Sequence, residues 1–286
     1  MRNKKKDIIL GAFVWLCAGI TVAVLIGILG YILVNGLPHV TWDFLSSPYS
    51  ASKNGEKGIL PMIINTLYVI LVSLFFATPI GIFSAIYLTQ YAKQGRLVSL
   101  IRFATEVLSG IPSILFGLFG YSVFVVLFQL KLSIISGSLT MMICILPTII
   151  RTTEESLLAV PTSYKEGAMA LGAGKLRVTM GIVLPCAMSG VLTGIILAMG
   201  RIVGETAALL FTVGVSGNSM PRGNNIFDAV FGQVFKQGNT LALHLYNSAM
   251  NGKDPGYVPF ATAATLLILV FILNRVAGLL SNRLKK

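Results

Sequence analysis

The sequence predicts an all-α, polytopic membrane protein with six transmembrane helices. Of its 286 residues, 55% are hydrophobic and only 11% are charged, against roughly 25% charged in a typical soluble domain. The mean hydropathy is +0.83, and apolar runs of about 20 residues, long enough to cross a bilayer, recur along the chain. Because backbone groups in lipid must form their hydrogen bonds within each segment, we expect every span to be a helix.

Six apolar segments define the predicted spans. They cover residues 12–34, 60–87, 103–130, 134–150, 186–210 and 260–280. The first follows a basic start, as a secretory signal does, but it is too long for the apolar region of a signal and lacks a convincing small-residue cleavage site. We therefore expect it to stay in place as a membrane anchor.

The distribution of basic residues predicts that both termini are cytoplasmic. With the N-terminus placed inside, the cytoplasmic segments hold 15 of the 22 Lys and Arg residues, the outer segments hold 6, and Arg201 lies within a span. Positive charge favours the cytoplasmic side of a membrane protein. The net charge of +12 could also indicate nucleic-acid binding, but the charges cluster at the ends of membrane helices. We therefore predict the lipid bilayer as a partner, and no nucleic acid.

The chain divides into three predicted regions. Residues 1–59 form an accessory N-terminal transmembrane helix with its outer loop, residues 60–280 form the membrane core, and residues 281–286 form a basic cytoplasmic tail. The outer loop is rich in Gly, Ser and Pro, which is typical of a linker. Within the core, Pro79 and Gly81 predict a kink in the second span.

No constellation of catalytic or metal-binding residues is recognisable, so we predict neither an enzyme nor a metal site. The cysteines at positions 17, 144 and 186 are scattered and are predicted to be small hydrophobic core residues. His39 and His244 lack partners at ligand spacing and are predicted to lie in loops. Lys175 follows a glycine, as in a phosphate-binding loop, but Leu176 stands where that loop needs Ser or Thr. Any ATPase must therefore be another chain.

The polar loop 154–185 carries the most specific pattern in the chain. We expect a short amphipathic helix from Glu166 to Gly172, ended by Gly172 and Gly174 and followed by a cationic patch. A fixed spacing runs through the loop and consists of Glu166, Ala168, Gly172, Ile182, Leu184 and Pro185. This spacing resembles the EAA loop of type I ABC-importer permeases, from which the chain departs at Gly167, where Ala is usual.

The resemblance implies a coupling helix at about residues 163–174, lying parallel to the membrane and docking in a groove of a cytoplasmic ATPase. It assigns the ATPase coupling to Glu166, Gly167, Ala168, Gly172 and Lys175. The alternative is an ordinary cytoplasmic turn between two helices. That alternative would explain the glycines and charges of the loop but not its full spacing.

The third predicted span begins with charges and continues into a glycine-rich run. Arg102 and Glu106 are four residues apart, which predicts an ion pair on one helix face near the cytoplasm. The following Gly-Ile-Pro-Ser sequence resembles a stretch of phosphate permeases that precedes a bent inner helix. The resemblance implies helix-bend or pore-lining roles for Gly110, Pro112 and Ser113.

The outer loop 211–259 is long and half apolar. Residues 226–246 show helical spacing that is broken by Gly238, so we predict a helical hairpin or surface helix too short to span the membrane. It could be a docking platform for an extracytoplasmic partner or a loop that merely packs on the core. The sequence leaves both possibilities open.

Two charged residues lie inside the fifth predicted span. Arg201 and Glu205 are four residues apart, which places them on one helix face together with Gly194 and Ala198. Charges in a membrane are costly and face a bundle interior or a watery path. We predict that the Arg201 guanidinium attracts an oxyanion and that Glu205 competes for it. On the same face, Gly194 would line the pore or a helix interface, and the alternative for the charges is a purely structural ion pair.

The sequence Arg-Ile-x-Gly-Glu-Thr-Ala at Arg201, after an EAA-like loop, is similar to that of the A-type permeases of bacterial high-affinity phosphate importers. The likeness covers about residues 60–280 and implies the type I ABC-importer permease fold. It also implies that the chain lies in the cell membrane and has four partners. These are a second, C-type permease, two cytoplasmic ATPase subunits and an extracytoplasmic phosphate-binding protein. No cofactor would be bound by this chain, since ATP and Mg would be used by the ATPase.

Other functions remain as alternatives. A permease for molybdate, sulfate or an amino acid would share the EAA-like loop. A stand-alone anion carrier or channel would be expected to show repeated halves or paired broken helices, and the sequence has no second copy of the Arg201 motif. A scaffold protein would have no functional need for Arg201 and Glu205 inside a membrane span.

Overall fold

The computed structural model describes residues 4–50, 57–93, 95–216, 220–221, 231–252 and 254–284. These residues form helices, turns and loops, and no β-strand occurs among them. One isolated β-bridge joins Tyr49 to Lys57. The all-α prediction is confirmed.

The helices follow one another in a simple order. They are α1 (Lys4–Gly36), α2 (Trp42–Ser46), α3 (Leu60–Tyr91), α4 (Arg96–Gly110), α5 (Ser113–Leu127), α6 (Ile134–Leu158), α7 (Thr162–Ala170), α8 (Lys175–Gly204), α9 (Ala207–Thr212), α10 (Leu241–Asn251) and α11 (Tyr257–Leu284). Within the described residues, α1, α3, α6, α8 and α11 are long and apolar enough to cross a membrane, and the pair α4 and α5 would make a sixth crossing.

The core of the bundle is an apolar cluster between α3, α6, α8 and α9. Its buried members include Val69 and Ala77 of α3, Ile145 of α6, Ile202 of α8 and Leu209 of α9. Ser133 caps the start of α6, because its hydroxyl accepts a hydrogen bond from the Ser136 amide at 3.4 Å. The cap fixes the point where the chain re-enters the bundle.

The first helix is largely separate from this core. Every side chain from residue 9 to residue 29 is exposed. Contact with α11 begins only at the far end, where the Tyr31 and Phe260 rings meet edge to face at 5.6 Å and the His39 ring stacks on Tyr257 at 4.8 Å. His39 itself ends a short 3-10 turn that follows α1.

The third predicted span is not one straight helix. The chain bends by 104° between α4 and α5, and Ile111 at the bend has an extended backbone with φ −72° and ψ 131°. The cause is Pro112, because a proline disfavours the helical conformation of the preceding residue and cannot donate a backbone hydrogen bond. Gly110, Pro112 and Ser113 all lie at this bend.

The fifth predicted span begins earlier than expected. We predicted a start at residue 186, but α8 begins at Lys175 and passes through Pro185. A π-helical turn, Thr179–Val183, directly precedes this proline. Such a turn changes the hydrogen-bond register, which lets the helix continue where a missing amide hydrogen would otherwise end it.

The region after α9 is only partly helical. Residues 231–234 form one helical turn, residues 235–240 are irregular, and α10 follows. The predicted helical stretch is thus interrupted near Gly238, whereas its first residues, Ile226 and Val230, lie outside the described residues. The prediction that His244 lies in a loop is wrong. His244 lies in α10 and is 2% exposed, since Thr240 caps the helix and turns its first residues into the core.

Candidate substrate path and coupling surface

Arg201 lies in the last turn of α8, partly exposed, where the helix ends at Gly204. Glu205 follows with φ −77° and ψ 126° and is no longer helical. Its carboxylate Oε1 instead accepts a hydrogen bond from the Ala208 amide at 3.2 Å, at the start of α9. The prediction that Arg201 and Glu205 share one helix face is therefore wrong, because the chain breaks between them.

After the break, Arg201 has no ion-pair partner in the part of the chain that the structure describes. None of the salt bridges among the described residues involves Arg201. The charges of Arg201 and Glu205 both act on the Cys144 thiol of α6, so both side chains lie near it. Cys144 is 1% exposed. The sequence could not indicate this neighbour, because the two residues belong to different helices and no spacing relates them.

Gly194 lies in a contact between helices. A side chain at Gly194 would clash with Thr152 of α6, and one at Gly190 would clash with Ser156. Ala198, on the same face, is 0% exposed. Small residues let two helices approach closely. The surroundings of Gly194 therefore favour a role in the α6–α8 interface over a pore-lining role.

The α4–α5 bend and the α8–α9 break meet in the same apolar cluster. Leu108 and Ile111 at the bend pack against the cluster that holds Ile202 of α8. In α5, a Cβ atom added to Gly117 would lie 2.9 Å from the Cα atom of Ala208. Broken helices that meet inside a bundle are a common way to build a transport site, since they bring polar groups to the centre of a membrane protein.

A charged cleft separates α4 from α6. The predicted pair between Arg102 and Glu106 is not formed; the Arg102 Nε atom lies 3.9 Å from Glu154 Oε1 of α6 instead. Arg102, Glu106, Arg151 and Glu154 line a cavity of about 230 Å³ in this cleft. The bend at Pro112 sets the direction of α4 and so brings its charges towards α6.

The residues predicted to couple to an ATPase lie on and after α7, at the end of the bundle where α6 ends. Glu166, Gly167 and Ala168 belong to α7, which starts four residues before the expected first turn. Gly172 has φ +82°, a left-handed conformation that favours glycine. The Gly172 amide donates to the Met169 carbonyl at 2.9 Å, and Lys175 then begins α8.

The surface beside α7 is apolar as well as charged. Leu171 is 91% exposed, and Tyr164 and Met169 are about half exposed. The ammonium of Lys175 lies over the Tyr91 ring at 5.0 Å, which ties the start of α8 to the end of α3. Exposed apolar side chains beside a rigid turn are typical of a protein interface.

The fold defines a class of protein: a multi-pass helical membrane protein with interrupted inner helices. Residues 77–286 match the family described as binding-protein-dependent transport system inner membrane component. The chain belongs to this family, and it is the permease type of ABC importers.

Several relatives are similar over most of the chain. The probable ABC transporter permease protein YqgI of Bacillus subtilis is 33% identical over 293 residues, covering 100% of this chain and 98% of the relative. The phosphate transport system permease protein PstA of Pasteurella multocida is 37% identical over 200 residues, covering 69% and 67%. PstA of Haemophilus influenzae is 35% identical over 206 residues, covering 72% and 69%.

Solved structures support the fold. The MetNI methionine ABC transporter in an inward-facing conformation has a TM-score of 0.65 at 19% identity, covering 80% of this chain and 96% of that chain. A bacterial ABC transporter for the import of alginate has a TM-score of 0.63 at 14% identity, covering 100% of both chains. The predicted type I ABC-importer permease fold is confirmed.

Proposed function

We propose that this chain is the permease subunit of an ATP-driven importer that moves inorganic phosphate across the cell membrane. The observation that carries the proposal is Arg201, a guanidinium at a helix break inside the bundle with no carboxylate bound to it among the described residues. A guanidinium presents a planar fork that matches two phosphate oxygens. The phosphate permeases among its relatives support the choice of substrate.

Glu205 has a different role in this proposal from the one expected from the sequence. Its carboxylate caps α9 through the Ala208 amide, so it stabilises the break and keeps Arg201 at the end of α8. It does not occupy the guanidinium. An arriving phosphate ion would therefore meet a cation whose hydrogen-bond donors are not already used by an acid, and binding would not need an ion pair to break first.

The transporter would be completed by four partners. A second, C-type permease would face this chain across the path, and two ATPase subunits would supply the energy, using ATP and Mg. The ATPase would dock at α7 and the exposed Leu171 beside it. An extracytoplasmic phosphate-binding protein would deliver the substrate. In this arrangement the chain itself is non-catalytic and binds no cofactor.

A permease for another substrate is the second candidate. Structural neighbours are named for methionine and for alginate, which shows that this fold serves chemically different cargoes. Arg201 favours an oxyanion, but molybdate and sulfate are oxyanions too.

Competition measures the substrate directly. We would express the assembled transporter in a host that lacks its own phosphate importer and measure uptake of radiolabelled phosphate at low concentration. Unlabelled phosphate should suppress uptake of the label, whereas equal amounts of sulfate, molybdate or methionine should not. Uptake of one of those other ions, with no uptake of phosphate, would replace the proposal by the second candidate.

A further inference from the structure

An irregular segment, residues 235–240, lies at the end of the bundle away from α7, and its second half is buried. The helix α6 connects the two ends, because it begins at Ile134 beside this segment and ends at Leu158 just before α7. Residues 235–240 have no helical structure, yet Asn239 and Thr240 are 4% and 2% exposed. Irregular backbone is tolerated inside a membrane bundle only where protein covers it or where it borders a watery cavity.

The backbone of this segment pairs with the ends of two helices. The Ile134 amide donates to the Lys236 carbonyl at 2.9 Å, and the Gly238 amide donates to the Val213 carbonyl at 3.3 Å. A Cβ atom added to Gly238 would lie 3.0 Å from the Ile134 side chain. The segment therefore fits tightly into a gap between α6 and the end of α9, and it closes that gap.

Buried side chains hold the segment against α3. The Gln233 amide donates to the Asn65 Oδ1 atom at 2.9 Å, and the Asn65 amide donates to the Asn239 carbonyl at 3.5 Å. Asn65 and Gln233 are both 0% exposed. These directed hydrogen bonds, each of modest net strength, contribute to the attachment, and an irregular segment separates more easily than a helix packed by apolar side chains.

The other side of the same helical turn faces outward. Phe231 and Phe235 are 54% and 64% exposed, and they stand four residues apart, whereas Gln233 between them is buried. Phe231 begins the helical turn 231–234 and Phe235 directly follows it, and positions four apart in a helical turn lie on the same side. A partner that contacts the two phenylalanines from outside would therefore act on the turn that carries Gln233.

We propose that residues 231–240 form a plug that closes the substrate path at the end away from the ATPase, with the Asn65–Gln233 hydrogen bond as its latch. This rests on the proposed function in one respect, that the chain transports a substrate through the bundle. In alternating access, each end of the path must open in turn. The plug must then leave Asn65 once in every cycle, and an outer partner could trigger that step through the phenylalanines.

A reversible crosslink tests the movement. The variant carries Asn65→Cys and Gln233→Cys, and Ala replaces the two exposed cysteines, Cys17 and Cys186; the third native cysteine is buried. A matched control carries Ser73→Cys and Ser138→Cys in the same background. The Ser73 hydroxyl donates to the Ser138 carbonyl at 3.1 Å within the static α3–α6 contact. Both variants are assembled with the second permease and the ATPase in proteoliposomes.

Oxidation of the Asn65/Gln233 pair should lower ATP turnover by about tenfold or more, which lies within the usual range of coupling between sites, and a reductant should restore it. The control pair should keep its turnover when oxidised. A fully oxidised Asn65/Gln233 pair that still turns over ATP normally would overturn the plug. Asn65→Ala gives a second measurement. A weakened latch should raise ATP turnover in the absence of the outer binding protein. If ATP turnover in this variant depends on that protein as much as in the wild type, the latch is also contradicted.

The readout separates this inference from the identity of the substrate. ATP turnover reports the conformational cycle whichever cargo is carried, and phosphate uptake is measured on the same proteoliposomes before oxidation. A reduced control variant, with Ser73→Cys and Ser138→Cys, that turns over ATP but takes up no phosphate would contradict the proposed function. Loss of turnover on oxidation of the Asn65/Gln233 pair would still support the plug.

Discussion

The ammonium of Lys57 lies 2.9 Å from the Asp254 carboxylate, and the two side chains are only 7% and 5% exposed. The Tyr49 hydroxyl donates to the same carboxylate at 3.1 Å, and Lys57 also donates to the Ser50 carbonyl at 2.9 Å. These contacts join the loop after α2 to the segment just before α11. A buried ion pair of this kind is weak evidence for net stability, but removing one partner leaves the other charge buried and uncompensated.

The first prediction follows from that pair. Asp254→Asn should lower the free energy of unfolding by about 3–5 kcal/mol, the usual cost of an orphaned buried charge, measured by thermal unfolding of the purified complex in detergent. The matched control is Arg151→Gln, which removes a pair to Glu155 at 3.1 Å whose side chains are 75% and 66% exposed. That exposed pair should contribute less than about 1 kcal/mol. Equal losses of the free energy of unfolding in the two variants would show that the Lys57–Asp254 pair contributes no more than an exposed pair.

The second prediction concerns His244 and pH. Burial lowers the pKa of His244 from 6.5 to about 4, although the nearby Asp254 carboxylate acts in the opposite direction. The unfolded chain therefore takes up a proton more readily than the folded chain. Stability should be fully present above pH 6.5 and should fall as the pH is lowered towards 4. We expect the melting temperature of the complex to decline over this window.

A matched variant isolates the contribution of His244. His244→Gln removes the titrating group and keeps a polar side chain of similar size. The wild type should lose more stability between pH 6.5 and 4 than this variant does. Parallel pH curves for the two proteins would show that other groups cause the decline.

The third prediction is that Arg201→Gln abolishes phosphate uptake while the complex still assembles. The substitution removes the charge and the bidentate fork that the proposal assigns to phosphate. Arg201→Lys should recover little, because an ammonium is a strongly hydrated point charge without the fork. Uptake should fall by at least about tenfold in both variants, equivalent to about 1.4 kcal/mol. Quantitative blots of membrane fractions verify the assembly. Substantial phosphate uptake by Arg201→Gln would contradict the assignment of phosphate binding to Arg201.

The fourth prediction distinguishes two roles of the Glu205 carboxylate: accepting a hydrogen bond and carrying a negative charge. Glu205→Gln keeps an oxygen that can accept from the Ala208 amide, so uptake and protein level should both change little. Glu205→Leu removes the acceptor and leaves the start of α9 without its cap, at a cost of about 0.5–2 kcal/mol. The melting temperature and uptake should fall together in that variant. If Glu205→Gln alone destroys uptake at a normal protein level, the negative charge itself is needed in the path.

The fifth prediction is that Gly172→Val uncouples ATP hydrolysis from uptake. A β-branched side chain at φ +82° costs roughly 1–3 kcal/mol in backbone strain, and it should displace α7 relative to α8. Gly174→Ala is the control, since Gly174 has φ −69° and open space around its Cα atom. We expect normal uptake from the control and little from Gly172→Val, with ATP hydrolysis measured on the same preparations. Normal uptake and normal ATP hydrolysis in both variants would show that this turn has no role in coupling.

The long-range architecture could be predicted from the sequence because it depends on local properties. Apolar run length identified the spans, and the glycine that ends α7 was recognisable because only glycine adopts its conformation readily. The break after Gly204 was missed, since no proline follows it and a single glycine is tolerated within a helical pattern. The partners of Arg102 and Arg201 could not be predicted at all. They lie on α6, and only the bend at Pro112 and the packing of α8 bring them together.

The helix α6 is a single uninterrupted element of 25 residues, roughly 37 Å long at 1.5 Å per residue. One of its ends precedes α7 and the other donates a hydrogen bond to the Lys236 carbonyl. Because α3 packs along α6, and the Ser73 hydroxyl donates to the Ser138 carbonyl at 3.1 Å, the two helices form a fixed frame between the two ends of the bundle. Opening of the proposed plug would then move residues 231–240, while Asn65 and Ile134 stay in place.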